Sequence, residues 1–235
     1  MSQYKSIDFS YQEWLFYTLS SIIFFLFYNL ICAHSLSKFE FLRTHWNFWR
    51  FKNTLISWSH AVIASILFAI NVYQMPDLLD DMINVSSKFS YIAICVSKVP
   101  LSIIIIFIFS ITLSLNRYVG YTTAAISIEF NTVFLHLRFM SVFCNIDKNS
   151  LKFRLLSILN LVTFVIFRLL TLCWMTRWII LNRSLIPPVW FTIGSLGLVV
   201  MMTINIFLLK RLVQSDFSKE KTIMNGSEST IKKSN

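Results

Sequence analysis

The sequence is poor in charge and in the motifs of soluble active sites. Only 14% of its 235 residues are charged and 56% are hydrophobic, whereas a soluble domain has about 25% and about 45–50%. It contains four glycines, and no glycine-rich phosphate loop, G-x-S-x-G elbow or H-E-x-x-H motif occurs. The composition therefore argues against a soluble nucleotide-binding or hydrolytic enzyme.

Cysteine is scarce and unpaired. No C-x-x-C or similar spacing is present, so neither a disulfide framework nor a zinc site is predicted. We expect no metal and no cofactor. The four cysteines stand singly in or beside apolar segments: Cys32, Cys95, Cys144 and Cys173.

Positive charge is the one abundant charge, with a net value of +10. The basic residues flank apolar runs instead of lining a helix face, which is the pattern of the positive-inside rule. We therefore predict no nucleic acid partner, and membrane lipids as the partners. Protein partners are left unknown.

Long apolar runs dominate the chain, and each reaches the roughly 20 residues that cross a bilayer. They do not alternate as the strands of a membrane barrel would. The fold class is therefore all-α, a polytopic helical membrane protein of about six hydrophobic segments. The predicted spans are 14–33, 54–73, 89–115, 121–140, 155–174 and 189–209.

One domain without internal repeats is predicted. Residues 1–45 form the first span and a basic inside loop, 46–210 form the main membrane domain, and 211–235 form a disordered basic tail. The first apolar run is long for a cleaved signal peptide and lacks a basic n-region, so we expect it to stay as a span.

The third segment is unusual because Lys98 and Pro100 interrupt it. If this region crosses twice, the chain has seven crossings, with 14 Lys and Arg inside and five outside. If it crosses once, the distribution reverses to seven inside and 12 outside. Charge therefore favours seven crossings, although hydropathy supplies six. The glycosylation sequons at Asn84 and Asn182 fall outside in the seven-crossing scheme.

The fourth segment carries four costly side chains in "EFNTVFLHLR": Glu129, Asn131, His136 and Arg138. Glu129 and His136 are almost two turns apart, so they share a helix face. Asn131 and Arg138 share another face, displaced by roughly 200°. Arg138 can snorkel to the headgroups, but Glu129 and His136 lie about 10 Å apart along the axis and cannot both do so. At least one of them must face the bundle interior or an aqueous cavity.

Two further polar residues lie within spans. Placing Arg168 at a helix centre costs on the order of 3 kcal/mol, and Glu129 is its expected neutralising partner. His60 lies in the second span. Two interpretations stay open: a buried structural Glu129–Arg168 pair with hydrogen-bonding histidines, or a lipid headgroup or catalytic cavity.

The residues around these polar groups resemble the TLC-domain family, which includes the ceramide synthases. "WRFKNTLISWSHAVIASI" (49–66), "MPDLL" (75–79), "RYVGYTTAAISIEFNTVFLHLR" (117–138) and "LNLVTFVIFRLL" (159–170) carry the likeness, over roughly 46–210. The small TLC-domain-containing proteins of types 1 and 2 are the most similar subgroup. The resemblance implies six spans around a lipid-accessible cavity with one extra span in front. The family pattern carries over onto His60, Glu129, Asn131, Phe134, Leu135, His136, Arg138 and Arg168.

One feature of the family is missing. Its paired histidines, and the hairpin that holds them, have no counterpart near 97–100, so a stretch of roughly 25–30 residues is absent, enough for one span and its loop. In ceramide synthases that pair is the expected acid–base centre of acyl transfer from coenzyme A to a sphingoid amine. We therefore expect a protein that is not an acyltransferase.

The subgroup resemblance implies a regulator of membrane phospholipid composition and fluidity, which limits polyunsaturated acyl chains at the plasma membrane; the endoplasmic reticulum is the alternative compartment. One alternative function is a ceramide synthase-like N-acyltransferase with His136 as base and Glu129 as its orienting group. Another is a protein that modulates a channel or a partner. The predicted lipid-cavity or structural polar residues are His60, Glu129, Asn131, His136, Arg138 and Arg168.

Overall fold

A computed structural model describes the backbone of residues 10–38, 45–76, 81–83, 88–97, 112, 117–147 and 150–231. The elements are helical: α1 (Tyr11–Leu36), α2 (His45–Gln74), α3 (Lys88–Ser97), α4 (Val119–Ile126), α5 (Glu129–Phe143), α6 (Leu151–Phe164), a π-helical segment (Val165–Leu170), α7 (Thr171–Leu181), a 3₁₀ turn (Arg183–Leu185) and α8 (Pro188–Ile231). Among these residues no strand is present, and the all-α prediction is confirmed.

Four stretches of the described chain are long and apolar enough to cross a membrane: Leu15–Leu36, Asn47–Gln74, Leu151–Leu181 and Pro188–Ser215. They agree with the predicted spans 14–33, 54–73, 155–174 and 189–209. Their surfaces expose many large apolar side chains, such as Phe16, Phe27, Leu30 and Phe207. A surface of this kind is stable against lipid, and the protein is an integral membrane protein.

The other two predicted spans, 89–115 and 121–140, do not correspond to one long described helix each. Most of 89–115, with Lys98 and Pro100, lies outside the described residues. The predicted span 121–140 is divided in the structure, since α4 ends at Ile126 and α5 begins at Glu129. The hydrogen bonds at this junction run from residue i+3 to residue i, as from Ser127 N to Ala124 O (3.1 Å). They tighten the backbone into a 3₁₀-like turn, which hydropathy alone does not reveal.

The last helix, α8, continues to Ile231, and the disorder of 211–235 stays a prediction. A helix that already spans from Pro188 needs no new nucleus, so adding residues at its end costs little.

The chain divides into two compact units, 1–156 and 157–235. This boundary falls within α6. The domain boundaries after residues 45 and 210 stay predictions.

In the first unit, α2 is the central helix and runs antiparallel to α1, α3 and α5. Its start meets the end of α5, where the rings of Phe51 and Phe143 are 6.0 Å apart, and its second half meets the start of α5, where Phe68 and Phe130 are 5.9 Å apart. A buried cluster with Ala64, Tyr91, Ile94, Cys95 and Val119 joins α2, α3 and α4. The side chains of Asn71 and Ser90 also meet there, with Nδ2 donating to Oγ at 2.7 Å.

The start of α4 lies beside the chain that approaches α3. Tyr118 N donates to Ile83 O (3.1 Å) and Tyr121 N donates to Met82 O (3.4 Å). The seven-crossing orientation that the Lys and Arg distribution favours stays a prediction.

In the second unit, α7 packs closely against α8. A Cβ at Gly194 would lie 3.0 Å from Ile179 Cδ1, so glycine permits this approach. Small residues at helix contacts are a common feature of membrane bundles.

Candidate functional site: a polar interface between α2 and α5

Glu129 and His136 lie on the face of α5 that packs against α2. Both belong to one uninterrupted helix, in which Glu129, His136 and Phe143 are spaced seven residues apart. Residues at this spacing lie almost one above the other. Because Phe143 meets Phe51 of α2, the face it shares with Glu129 and His136 is the face toward α2.

The matching face of α2 carries two hydrogen-bond donors. Phe51, Trp58 and Ser65 follow the same seven-residue spacing, so Trp58 and Ser65 point to the side of α2 on which α5 packs. The Trp58 Nε1 and Ser65 Oγ atoms are buried and have no hydrogen-bond partner among the described residues. Sequence reasoning missed both residues, because a single Trp or Ser in an apolar run gives no signal of its own.

Asn131 lies on a different face of α5 from Glu129 and His136. Its side chain is completely buried. A buried amide in a membrane helix needs polar neighbours, so Asn131 belongs to the interior of the first unit and not to its lipid surface.

His60 lies where α2 meets α1 and α3. Its Nε2 atom is 3.1 Å from Val96 O, and its ring is 5.5 Å from the ring of Phe25 in α1. A carbonyl oxygen only accepts, so Nε2 carries the hydrogen and Nδ1 carries the lone pair of the neutral ring. His60 thereby satisfies a carbonyl at the end of α3, as Ser21 Oγ does for Cys95 O at 3.4 Å. Carbonyls at a helix end have no partner within the helix, and His60 supplies one there.

Arg138 lies near the end of α5, with its guanidinium 5.8 Å from the centre of the Phe153 ring. Arg50 at the start of α2 is placed similarly, 5.6 Å from the rings of Phe139 and Phe143. These two arginines lie at the same end of the first unit.

Arg168 lies in the π-helical segment of the second unit. Its Nη1 atom donates to Asn205 Oδ1 of α8 at 3.2 Å, and its guanidinium lies 5.5 Å from the centre of the Phe164 ring. Asn205 is 1% exposed and was not predicted as a partner. Glu129 belongs to the other unit, and its pairing with Arg168 stays a prediction.

Neither metal nor disulfide chemistry is represented in the described part of the chain. No group of three or more His, Cys, Asp or Glu side chains there could hold a metal ion. All four cysteines are free thiols, with Cys32 and Cys95 buried and Cys144 and Cys173 exposed.

The architecture is that of a helical integral membrane protein with a polar interior. The chain is 36% identical to TLC domain-containing protein 2 of zebrafish, Danio rerio, over 195 residues, which cover 74% of this chain and 79% of the relative. It is 28% identical to the human protein of the same name, over 67% of this chain and 58% of that protein. It is 24% identical to human TLC domain-containing protein 1, over 73% and 77% of the two chains. The chain belongs to the TLC-domain family.

Comparisons with family profiles and with solved structures found no match.

The zebrafish comparison includes positions that this chain lacks. It spans 195 positions but takes in 74% of the 235 residues here, which is about 174 residues. About 21 positions of the relative therefore have no counterpart in this chain. That shortfall is close in size to one membrane crossing, which needs about 20 residues.

Proposed function

We propose that this protein regulates the acyl-chain composition of membrane phospholipids, limiting polyunsaturated chains and thereby influencing membrane fluidity, at the plasma membrane. Membership of the TLC-domain family, with type 1 and type 2 relatives, is the observation that carries this proposal. The resemblance of this chain to the type 1 and 2 subgroup implies this function.

The polar residues between α2 and α5 support a role that involves lipid. Ionisable groups within membrane segments are costly, and they usually mark substrate pathways or buried pairs. Glu129 and His136 face a neighbouring helix that carries buried donors, Trp58 Nε1 and Ser65 Oγ. Such an interior suits a polar part of a lipid better than it suits an acyl chain.

Acyl transfer by Glu129 and His136 is the less favoured chemistry. The two side chains are on one helix about 10 Å apart along its axis, so Glu129 cannot orient His136 by a direct hydrogen bond. His60 already donates its Nε2 hydrogen to Val96 O.

Lipidomics of cells that lack the gene tests the proposal. We expect a rise in polyunsaturated phospholipids with steady ceramides, corrected by this chain and not by an E129Q/H136A variant. The variant H34A, which changes an exposed histidine of α1, is the matched control and should correct the phenotype fully.

A further chain with a family hairpin inserted between residues 97 and 101 separates two explanations of a negative result. Correction only by the chain with the insertion would mean that the hairpin is required for the activity. A ceramide change instead would replace the proposal with N-acyl transfer, and an unchanged lipidome in all cells would exclude both.

A further inference from the structure

Two unpaired donors on α2 need acceptors. Trp58 Nε1 and Ser65 Oγ are buried without a hydrogen-bond partner in the described part of the protein, and Ser65 is 5% exposed. Other hydroxyl groups of these helices are satisfied by their own backbone, as Thr54 Oγ1 is by Arg50 O at 2.8 Å. Leaving a buried donor unpaired costs about 1–3 kcal/mol, so two on one face indicate a bound acceptor.

The opposite wall of this interface is fixed by the antiparallel packing of α2 and α5. Phe51 meets Phe143 at one end and Phe68 meets Phe130 at the other. Between these contacts, Trp58 lies within one helical turn of the level of His136. Ser65 lies within one turn of the level of Glu129.

The chemistry of these groups selects the acceptor. Indole N–H donates only, and a serine hydroxyl donates to a carbonyl readily. An indole N–H and a serine hydroxyl are neutral donors, and burying a charged phosphate beside neutral donors in a membrane interior is costly. Neutral carbonyl oxygens accept such hydrogen bonds without that cost.

We propose that Trp58 Nε1 and Ser65 Oγ bind acyl-ester carbonyl oxygens of a membrane glycerolipid, each donor taking one oxygen. The proposal deepens the proposed function and rests on it for the choice of lipid as ligand. It assigns recognition to the ester linkage, which is the point where an acyl chain joins the glycerol backbone. His136, on the opposite wall, completes the polar lining of the interface.

An ester and ether pair of lipids tests this site directly. The purified full chain is exchanged into detergent that contains equal amounts of dioleoyl phosphatidylcholine and its diether analogue, which lacks both carbonyls. The lipid retained after size-exclusion chromatography is measured by mass spectrometry. One interhelical hydrogen bond in a membrane is equivalent to about a threefold preference, so two bonds predict about an eightfold preference for the diester.

Two variants and two matched controls locate the preference. W58F keeps an aromatic ring but removes the N–H, and S65A removes the hydroxyl; each should lower the preference about threefold. W49F changes an exposed Trp of the same helix. S59A changes a serine that bonds to Tyr28 on another face of α2. Both controls should keep the full preference.

Equal retention of diester and diether by the unmodified protein would overturn the proposal without any variant, since the donors would then be bound to water. A preference that W58F and S65A both leave unchanged would overturn it as well. An ester preference together with an unaltered cellular lipidome would uphold the site and reject the proposed function. Equal retention of the two lipids together with an altered cellular lipidome would reject the site alone.

Discussion

Two departures from regular α-helix, one in each unit, carry the costly polar residues of this protein in different ways. At Ser127 and Ile128 the backbone tightens, and Glu129 and His136 follow on the face toward α2. At Val165–Leu170 it widens into a π-helix that holds Arg168. Both kinds of departure are frequent at functional sites. Here the polar residues beside the two departures have different partners.

The two regions differ in the groups that the neighbouring helix presents to the polar residues. Arg168 has an amide acceptor in Asn205 and an aromatic face in Phe164, both from its own unit. The face of α2 opposite Glu129 and His136 offers donors that are themselves unpaired. Arg168 is therefore paired within its own unit, whereas the interface that follows the tight turn is the one for which we propose a ligand.

The largest expected effect tests the stabilising region. N205L removes the acceptor of a charged donor, and we expect the free energy of unfolding to fall by about 1.5–3 kcal/mol. The measurement is equilibrium unfolding in mixed micelles. T203V is the control, because Thr203 is exposed and bonds only to Val199 O of its own helix.

The double variant R168L/N205L sharpens the same test. Replacing both partners by apolar groups is nearly neutral, so the double variant should regain most of the lost stability. A double variant as unstable as N205L would show that Asn205 stabilises the helix in another way.

The second prediction concerns the ligand region. E129Q keeps the shape of the side chain and removes its charge, so anionic lipid should no longer be repelled from the donors of α2. Retention of phosphatidylserine relative to phosphatidylcholine should rise about tenfold, which is about 1.4 kcal/mol. E13Q, at the exposed start of α1, should leave this ratio unchanged. No change in E129Q would remove Glu129 from the selection of lipid charge.

The smallest expected effect concerns a contact outside both regions. Tyr28 Oη and Ser59 Oγ are 2.7 Å apart between α1 and α2. Y28F should lower the free energy of unfolding by about 0.6 kcal/mol, the average for interhelical hydrogen bonds in a membrane. Mixed-micelle unfolding measures it, and a loss above 2 kcal/mol, beyond what such a bond supplies, would show that α1 is held by more than packing.

Hydropathy predicted the spans that are now α1, α2, α6 with α7, and most of α8, because a run of about 20 apolar residues can be stable only across a bilayer. The same reasoning did not reveal that the segment 121–140 is divided into two helices. A 3₁₀-like turn at Ser127 and Ile128 changes the hydrogen bonds and not the composition, so no hydropathy average detects it.

The sequence by itself determined a helical membrane protein of the TLC-domain family and the shared face of Glu129 and His136, because both follow from hydropathy, motif and the fixed period of a helix. Only the tertiary structure decided the partners. It assigned Asn205 to Arg168 and Val96 O to His60, and it directed Trp58 and Ser65 toward α5. Side chains far apart in sequence meet through the packing of whole helices, and the periodicity of one helix carries no information about which helix covers it.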